Sequence, residues 1–127
     1  MIAVDTSALM AIVLNEPEAE ICSAILATAG RTLISAGTVA EALIVAARRN
    51  RTDEMKQLLD GLGFEIVTVT PAAARRAAVA YERWGKGIHP AALNYGDCFA
   101  YEVAEAHECA LLYVGNDFAQ TDLAAAR

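Results

Sequence analysis

Histidine is scarce in this chain. The two present, His89 and His107, stand far apart, and the three cysteines (Cys22, Cys98, Cys109) are odd in number and lack C-x-x-C spacing. That excludes a Cys/His zinc centre and a disulfide framework; the cysteines read as reduced, mostly buried thiols. No apolar run reaches the roughly 18 residues that a membrane-spanning helix needs. The N-terminus has no basic stretch ahead of its apolar run, and Asp5 interrupts that run. No signal peptide is read there, and a cytoplasmic protein is expected. Repeats, linkers and low-complexity segments are also lacking, so residues 1–127 read as a single domain, long enough to bury a core. Aromatics make up only 6% of the residues and alanine is abundant, which suits closely packed helices. A net charge of −6 argues against a general nucleic-acid coat. The charge is uneven, however. Arg48 to Lys86 carries eight basic residues against five acids, while the rest of the chain has two against eleven. The basic middle could meet a phosphate backbone, or it could simply be a set of solvated helix faces.

The most informative stretch is Met1–Leu9, MIAVDTSAL. Four apolar residues without alternation read as a strand buried on both faces, as in parallel sheets. Thr6 or Ser7 can cap a following helix over Ala8–Leu14. Asp5 then stands at the carboxyl end of a central strand, where open α/β sheets bind ligands. A carboxylate there is costly unless it is paired or holds a cation. The plainer alternative is that Asp5 is itself the helix cap.

Further along, helices are expected over Glu18–Thr28, Thr38–Asn50, Thr52–Leu62, Pro71–Trp84 and Gly96–Glu108. Strands are expected over Thr32–Ser35, Phe64–Val69 and Ala110–Val114. Gly85–Pro90 reads as a loop, and a short helical turn near Phe118 and a last edge element close the chain. Strands alternating with helices predict an α/β/α domain around a mostly parallel sheet of four or five strands, with right-handed crossovers.

Three more acids share the feature that marks Asp5. Glu41 lies in the first turn of an apolar helix, where Thr38-x-x-Glu41 also fits a capping box. Asp97 opens the helix GDCFAYEVAEAHE, where it or Asn94 could serve as the cap. Glu102, Glu105 and Glu108 fall on the opposite side of that helix and read as solvated. Asp117 follows the last strand in the turn Gly115-Asn116-Asp117. Strand carboxyl ends and the N-termini of the helices that follow them share one rim of a parallel sheet. Three or four carboxylates would therefore meet in one pocket. Two unit charges 4 Å apart repel by about 4 kcal/mol at an effective dielectric near 20. Such a cluster needs a divalent cation or shared protons, and all-oxygen ligands favour Mg²⁺ or Mn²⁺ over zinc. His107 reads as structural, and His89 could touch a substrate.

MIAVDTSAL, the Glu41 helix, GKGIHPAALNYGDCFAYEVA and LLYVGNDF, in that order, resemble a PIN-domain ribonuclease and, more narrowly, the VapC toxins of bacterial type II toxin–antitoxin pairs. The resemblance covers essentially the whole chain. It implies Mg²⁺- or Mn²⁺-dependent hydrolysis of RNA phosphodiesters at a site made of Asp5, Glu41, Asp97 and Asp117, with Asp5 and Asp97 as direct metal ligands. Many members place the fourth acid three residues before the Phe of the last motif, where this chain has Gly115. The role then passes to Asp117 or is shared with Asn116. Thr6, Ser7 and Asn116 would contact metal-held water or substrate, and Lys86, Arg48 and Arg83 the RNA backbone. A homodimer and a cognate VapB-type antitoxin are also implied. Two other classes compete. A small Mg²⁺-dependent phosphatase also puts an Asp after its first strand, commonly with a second Asp two residues on, where this chain has Ser7. A non-catalytic binding module would use the acids merely as caps.

Overall fold

A computed structural model describes all residues, Met1–Arg127. The short apolar runs form four strands, β1 (Ile2–Val4), β2 (Thr32–Ser35), β3 (Glu65–Val67) and β4 (Ala110–Leu112). They make one all-parallel sheet in the order β3-β2-β1-β4. Six helices connect them: α1 (Thr6–Val13), α2 (Ala19–Thr28), α3 (Ala36–Arg48), α4 (Thr52–Gly61), α5 (Pro71–Trp84) and α6 (Tyr95–Ala106). A short 3₁₀ turn follows at Phe118–Gln120. The expected edge element is a parallel bridge between Leu111 and Ala125 that pins the C-terminal tail beside β4. None of the helices is long and apolar enough to cross a membrane.

The three layers follow from the two-residue period of a strand. Ala3, Leu33 and Leu111 point to one side of the sheet and pack with Ala77 and Ala80 of α5 and Ala100, Val103 and Ala104 of α6. Their successors Val4, Ile34 and Leu112 point to the other side. There they pack with Leu9 and Met10 of α1, Cys22 and Leu26 of α2, Ala42 and Ala46 of α3 and Met55 of α4. The central strands are covered on both faces, which is why they carry no polar alternation.

Helix starts differ from the expected ones in an instructive way. The α1 helix begins at Thr6, and its cap is Asp5, whose Oδ2 accepts from the Ser7 N–H at 2.9 Å. Thr6 and Ser7 therefore do not cap. The α3 helix begins as soon as β2 ends, with Ser35 accepting from the Gly37 N–H. Thr38 is consequently inside the helix and fully buried, and the Thr38–Glu41 capping box does not form. At α6 the helix begins at Tyr95, one position earlier than expected, and its cap is Asn94. Asp97 completes a capping box with it: Asp97 N–H donates to Asn94 Oδ1 and Asn94 N–H donates to Asp97 Oδ2, both at 2.9 Å. Glu102 is a further correction. It is 4% exposed and accepts from Arg76 Nε at 3.3 Å, because α5 packs over the side of α6 that periodicity assigns to solvent.

Candidate active site

The strand order reverses direction at β1. The chain leaves β1 for β2 and β3 on one side and returns to β4 on the other, so the carboxyl ends of β1 and β4 border the crevice where such sheets place their ligands. Asp5 sits in that crevice. Its N–H donates to the Leu112 carbonyl at 3.0 Å, which ties it to the end of β4. One carboxylate oxygen is used by the α1 cap. The other, Oδ1, is buried without a hydrogen-bond partner. Burial, with a smaller push from Glu41, raises the Asp5 carboxyl to about 6.

Glu41 reaches the same rim from the second turn of α3. Thr6 Oγ donates to Glu41 Oε1 at 2.6 Å, so the residue after Asp5 orients the second acid. The space that Glu41 occupies is made by Gly96. A methyl group there would overlap the Glu41 carboxylate, so α6 can approach α3 only because that position has no side chain. Ile44, one turn beyond Glu41, is 60% exposed, so the apolar character of α3 does not explain why Glu41 turns inward; Thr6 and Gly96 do.

Asp97 is buried in the first turn of α6. Its carboxyl is raised to about 7, first by burial and then by the nearby charges of Asp5, Glu41 and Asp117. Asp97 thus feels the charge of three acids drawn from residues as far apart as 5 and 117. Asp117 is exposed in the turn after β4 and makes no capping bond, and Asn116 beside it is exposed as well. Neither arginine nor lysine pairs with any of the four acids: the ion pairs join Arg31 to Glu65, Arg51 to Glu54, Arg76 to Glu102 and Arg83 to Asp122.

No three acidic, histidine or cysteine side chains stand close enough to form a ready-made ligand cluster. The acids share a rim without touching, which is looser than the single pocket expected from the sequence. The reason is local. Asp5, Glu41 and Asp97 each turn one oxygen to a neighbouring hydrogen-bond donor, as mutually repelling charges do when a donor is at hand. The donor set nevertheless fits a hard divalent cation. It is all oxygen, it has no internal counter-charge, and Asp5 Oδ1 is buried with its lone pairs unused.

The remaining sequence-predicted residues fall into place around this rim or away from it. Ser7 Oγ accepts from the Val114 N–H at 3.0 Å and so fastens α1 to the end of β4. This is the position where a phosphatase of the competing class would carry its second acid. Lys86 is exposed and lines a groove together with Asn94, the partner of Asp97. Arg83 pairs with Asp122 at 3.5 Å and lies 4.6 Å over the Trp84 ring. Arg48 ends α3, seven residues beyond Glu41 and so about 10 Å further along the helix. His89 is structural: its Nδ1 accepts from the Ala91 N–H and its ring meets Trp84 edge-on. His107 caps the end of α6 with its ring against the Val103 carbonyl. Sequence reasoning passed over Tyr95, which is 78% exposed two residues before Asp97. An aromatic residue at the first position of a helix, where no core contact is due, is the signal that could have found it.

Comparison with known proteins gives the family and the fold. Residues 2–123 match the PIN domain family. The chain is 45% identical over 125 residues to the VapC ribonuclease Mb2004c of Mycobacterium bovis, covering 94% of this chain and 89% of that protein. It is 38% identical to a ribonuclease VapC of Mycolicibacterium smegmatis, covering 96% and 97%. Among solved structures, its backbone is similar to that of Mycobacterium tuberculosis VapC20, a sarcin-ricin loop cleaving toxin. The TM-score is 0.79 at 14% identity, over 97% of this chain and 96% of that one. A toxin–antitoxin complex from Klebsiella pneumoniae gives a TM-score of 0.71 at 20% identity, over 96% and 93%. The family match over most of the chain and the relatives at this level of identity agree: the chain belongs to the PIN-domain family, among the VapC ribonucleases.

Proposed function

We propose that this protein is a divalent-metal-dependent endoribonuclease and the toxin of a toxin–antitoxin pair, acting on RNA in the cytoplasm. The observation that carries the reading is the buried, unpartnered Oδ1 of Asp5 at the sheet's reversal point, in electrostatic reach of other acids and without a basic side chain beside it. In this reading Asp5 and Asp97 hold Mg²⁺ or Mn²⁺, with Glu41 and Asp117 completing the acidic site. The chemistry a bound divalent cation supplies is polarisation of the phosphoryl oxygens and activation of water for attack on phosphorus.

The chain's own residues do the positioning. Asn94 fixes Asp97 by the hydrogen bond from its backbone N–H to Asp97 Oδ2. Thr6 holds one oxygen of Glu41 and directs the other toward Gly96. The N-termini of α1 and α6 put their positive dipole ends at the same rim, which favours both the carboxylates and an incoming phosphodiester. Asn116 and Asp117 stand exposed at the mouth, able to contact substrate or the water shell of the cation. Ser7, whose hydroxyl serves Val114, holds the floor. Lys86 is the basic residue best placed to take the RNA backbone, since Arg83 is already paired and Arg48 stands at the far end of its helix. A VapB-type antitoxin and self-association as a homodimer are part of the same proposal. They are supported by relatives that are VapC ribonucleases and by a fold shared with a toxin–antitoxin complex.

The test is cleavage of end-labelled RNA by the purified chain with Mg²⁺ or Mn²⁺ and with chelator. Cutting should vanish with chelator. Asp5→Asn and Asp97→Asn should each lose at least about a hundredfold in rate, the scale of removing one electrostatic element of a site, while circular dichroism shows the fold intact. Unchanged rates in both variants, or cutting that survives chelation, would refute the mechanism.

A further inference from the structure

The turn that carries Asp117 is stapled at both ends, and each staple comes from a helix that bears another acid of the rim. At one end the Val114 N–H donates to Ser7 Oγ at 3.0 Å, and Ser7 belongs to α1, two residues after Asp5. At the other end Tyr101 OH donates to Asp122 Oδ1 at 2.6 Å. Tyr101 belongs to α6, four residues and so about one turn after Asp97. Its hydroxyl is well fixed. The side chain is 1% exposed, and the phenolic oxygen accepts from Trp84 Nε1 at 3.0 Å, which leaves its one proton for a carboxylate. Glu105 Oε2 also lies within reach at 3.0 Å, but Asp122 makes the shorter contact. Arg83 Nη2 approaches the other oxygen of Asp122 at 3.5 Å, so both oxygens of that carboxylate are engaged.

We propose that Tyr101 and Asp122 are positioning residues for Asp117: their hydrogen bond fastens the turn after β4 to the helix that carries Asp97, and so sets where the fourth acid stands. The inference rests on the ribonuclease reading above, with Asp117 in the acidic site. Three observations carry it. Asp117 has no clamp of its own; its side chain is exposed and makes no capping bond, so its place is set by the backbone that bears it. That backbone is tied link by link to Asp122. The Asp117 carbonyl accepts from the Gln120 N–H at 3.3 Å. The Phe118 carbonyl accepts from the Thr121 N–H at 3.0 Å and from Thr121 Oγ1 at 2.7 Å, and the Leu123 N–H donates to Thr121 Oγ1 at 3.3 Å. A shift at Asp122 is therefore passed back to Asp117 rather than absorbed between them. The upstream side, by contrast, can pivot. Only the exposed Gly115 and Asn116 separate Val114 from Asp117, and Gly115 takes a φ of 102° that favours glycine. The buried Phe118 ring against Tyr113 holds the turn down, but an apolar contact is non-directional and does not fix its rotation. The downstream clamp on α6 decides it.

The experiment measures Mn²⁺ affinity without RNA, by the electron paramagnetic resonance of free Mn²⁺, and amide hydrogen exchange over residues 115–121. The proteins are wild type, Tyr101→Phe, Asp122→Ala, Asp122→Asn, Asp117→Asn and the double variant Asp117→Asn/Asp122→Ala. Asp117→Asn, Tyr101→Phe and Asp122→Ala should each bind Mn²⁺ roughly tenfold more weakly, the lower end for residues that orient a metal site. Tyr101→Phe and Asp122→Ala should also speed exchange across the turn. Asp122→Asn, whose amide oxygen still accepts from Tyr101, should stay near wild type. The double variant should bind no more weakly than Asp117→Asn alone, because residues that act through Asp117 have nothing left to position. Wild-type Mn²⁺ affinity in Asp122→Ala beside a loss in Asp117→Asn would overturn the clamp and leave the ribonuclease reading standing. Additive losses in the double variant would overturn it too, since they would mark a general loss of stability. So would an equal loss in Asp122→Asn and Asp122→Ala, which would assign the effect to the charge rather than the hydrogen bond. A wild-type chain that neither binds Mn²⁺ nor cuts RNA would overturn both readings.

Discussion

Two regions of this molecule handle buried negative charge in opposite ways. On the side of α6 that packs under α5 the buried acid has a cation: Glu102, 4% exposed, lies against Arg76. On the carboxyl rim of the sheet, Asp5 and Asp97 are as deeply buried as Glu102, and neither has a basic partner. The flank is built to be stable by itself. The rim is built with its counter-charge missing, and its two buried carboxyls are pushed up as a result, to about 6 and about 7. A chain with ten basic residues could have supplied an arginine there. Leaving the charge uncompensated accords with the proposed function, in which the compensating ion comes from solution.

The largest way to sharpen this contrast is Asp97→Asn. A tenfold change in acidity is worth about 1.4 kcal/mol. The raised carboxyl therefore makes ionised Asp97 a net cost to the folded state, offset in the variant by an amide donor left partly unpaired. The net expectation at pH 8 in chelator is a gain in unfolding free energy of about 2 kcal/mol, read by urea denaturation. The sign follows from linkage. The folded carboxyl binds its proton more tightly than the unfolded one, whose value is 3.8, so the penalty on the native state builds up as the unfolded chain ionises above about pH 4 and levels off once folded Asp97 ionises near 7. The gain should therefore be complete above about pH 7 and fade to nothing below about pH 4. Equal stability of the two proteins at pH 8 would break the contrast.

The flank offers the opposite experiment. Arg76→Ala strips the cation from a buried carboxylate and should destabilise by about 1–2 kcal/mol. This is less than for a fully buried pair, because Arg76 is itself about half exposed. Adding Glu102→Gln should recover most of the loss in the same denaturation assay. At the small end stands Arg31 with Glu65, a short ion pair at 2.7 Å whose members are both in water. Arg31→Ala should leave the melting temperature unchanged within error, since solvent screens such a pair.

Much of this was legible in the chain. The strand MIAV, the Pro-started α5 and the turn at Phe118 lie where their residues place them, because each is a local matter of apolar run, ring geometry or turn chemistry. The four candidate acids could be picked out since each sits at a strand end or helix start. Their individual roles could not. Thr38 and Glu41 satisfy a capping box in sequence, yet Ser35 starts the helix a turn early and leaves Glu41 to Thr6, thirty-five residues away. Asp5 reads as either cap or site residue, and in the fold one oxygen does the first job while the other is free for the second. Glu102 reads as solvated because periodicity cannot say that α5 will lie over it.

Residue order alone determined the class of the protein: alternating apolar runs and amphipathic segments of these lengths have one economical arrangement, a parallel sheet between two helical layers. It also determined that acids would gather at one rim, since strand ends and following helix starts share that rim in any such sheet. Only the tertiary structure decided which acids keep a free oxygen and which find an arginine. Those outcomes depend on which helix faces which, at separations of a few ångströms between residues dozens of positions apart, and no local rule of the chain encodes them.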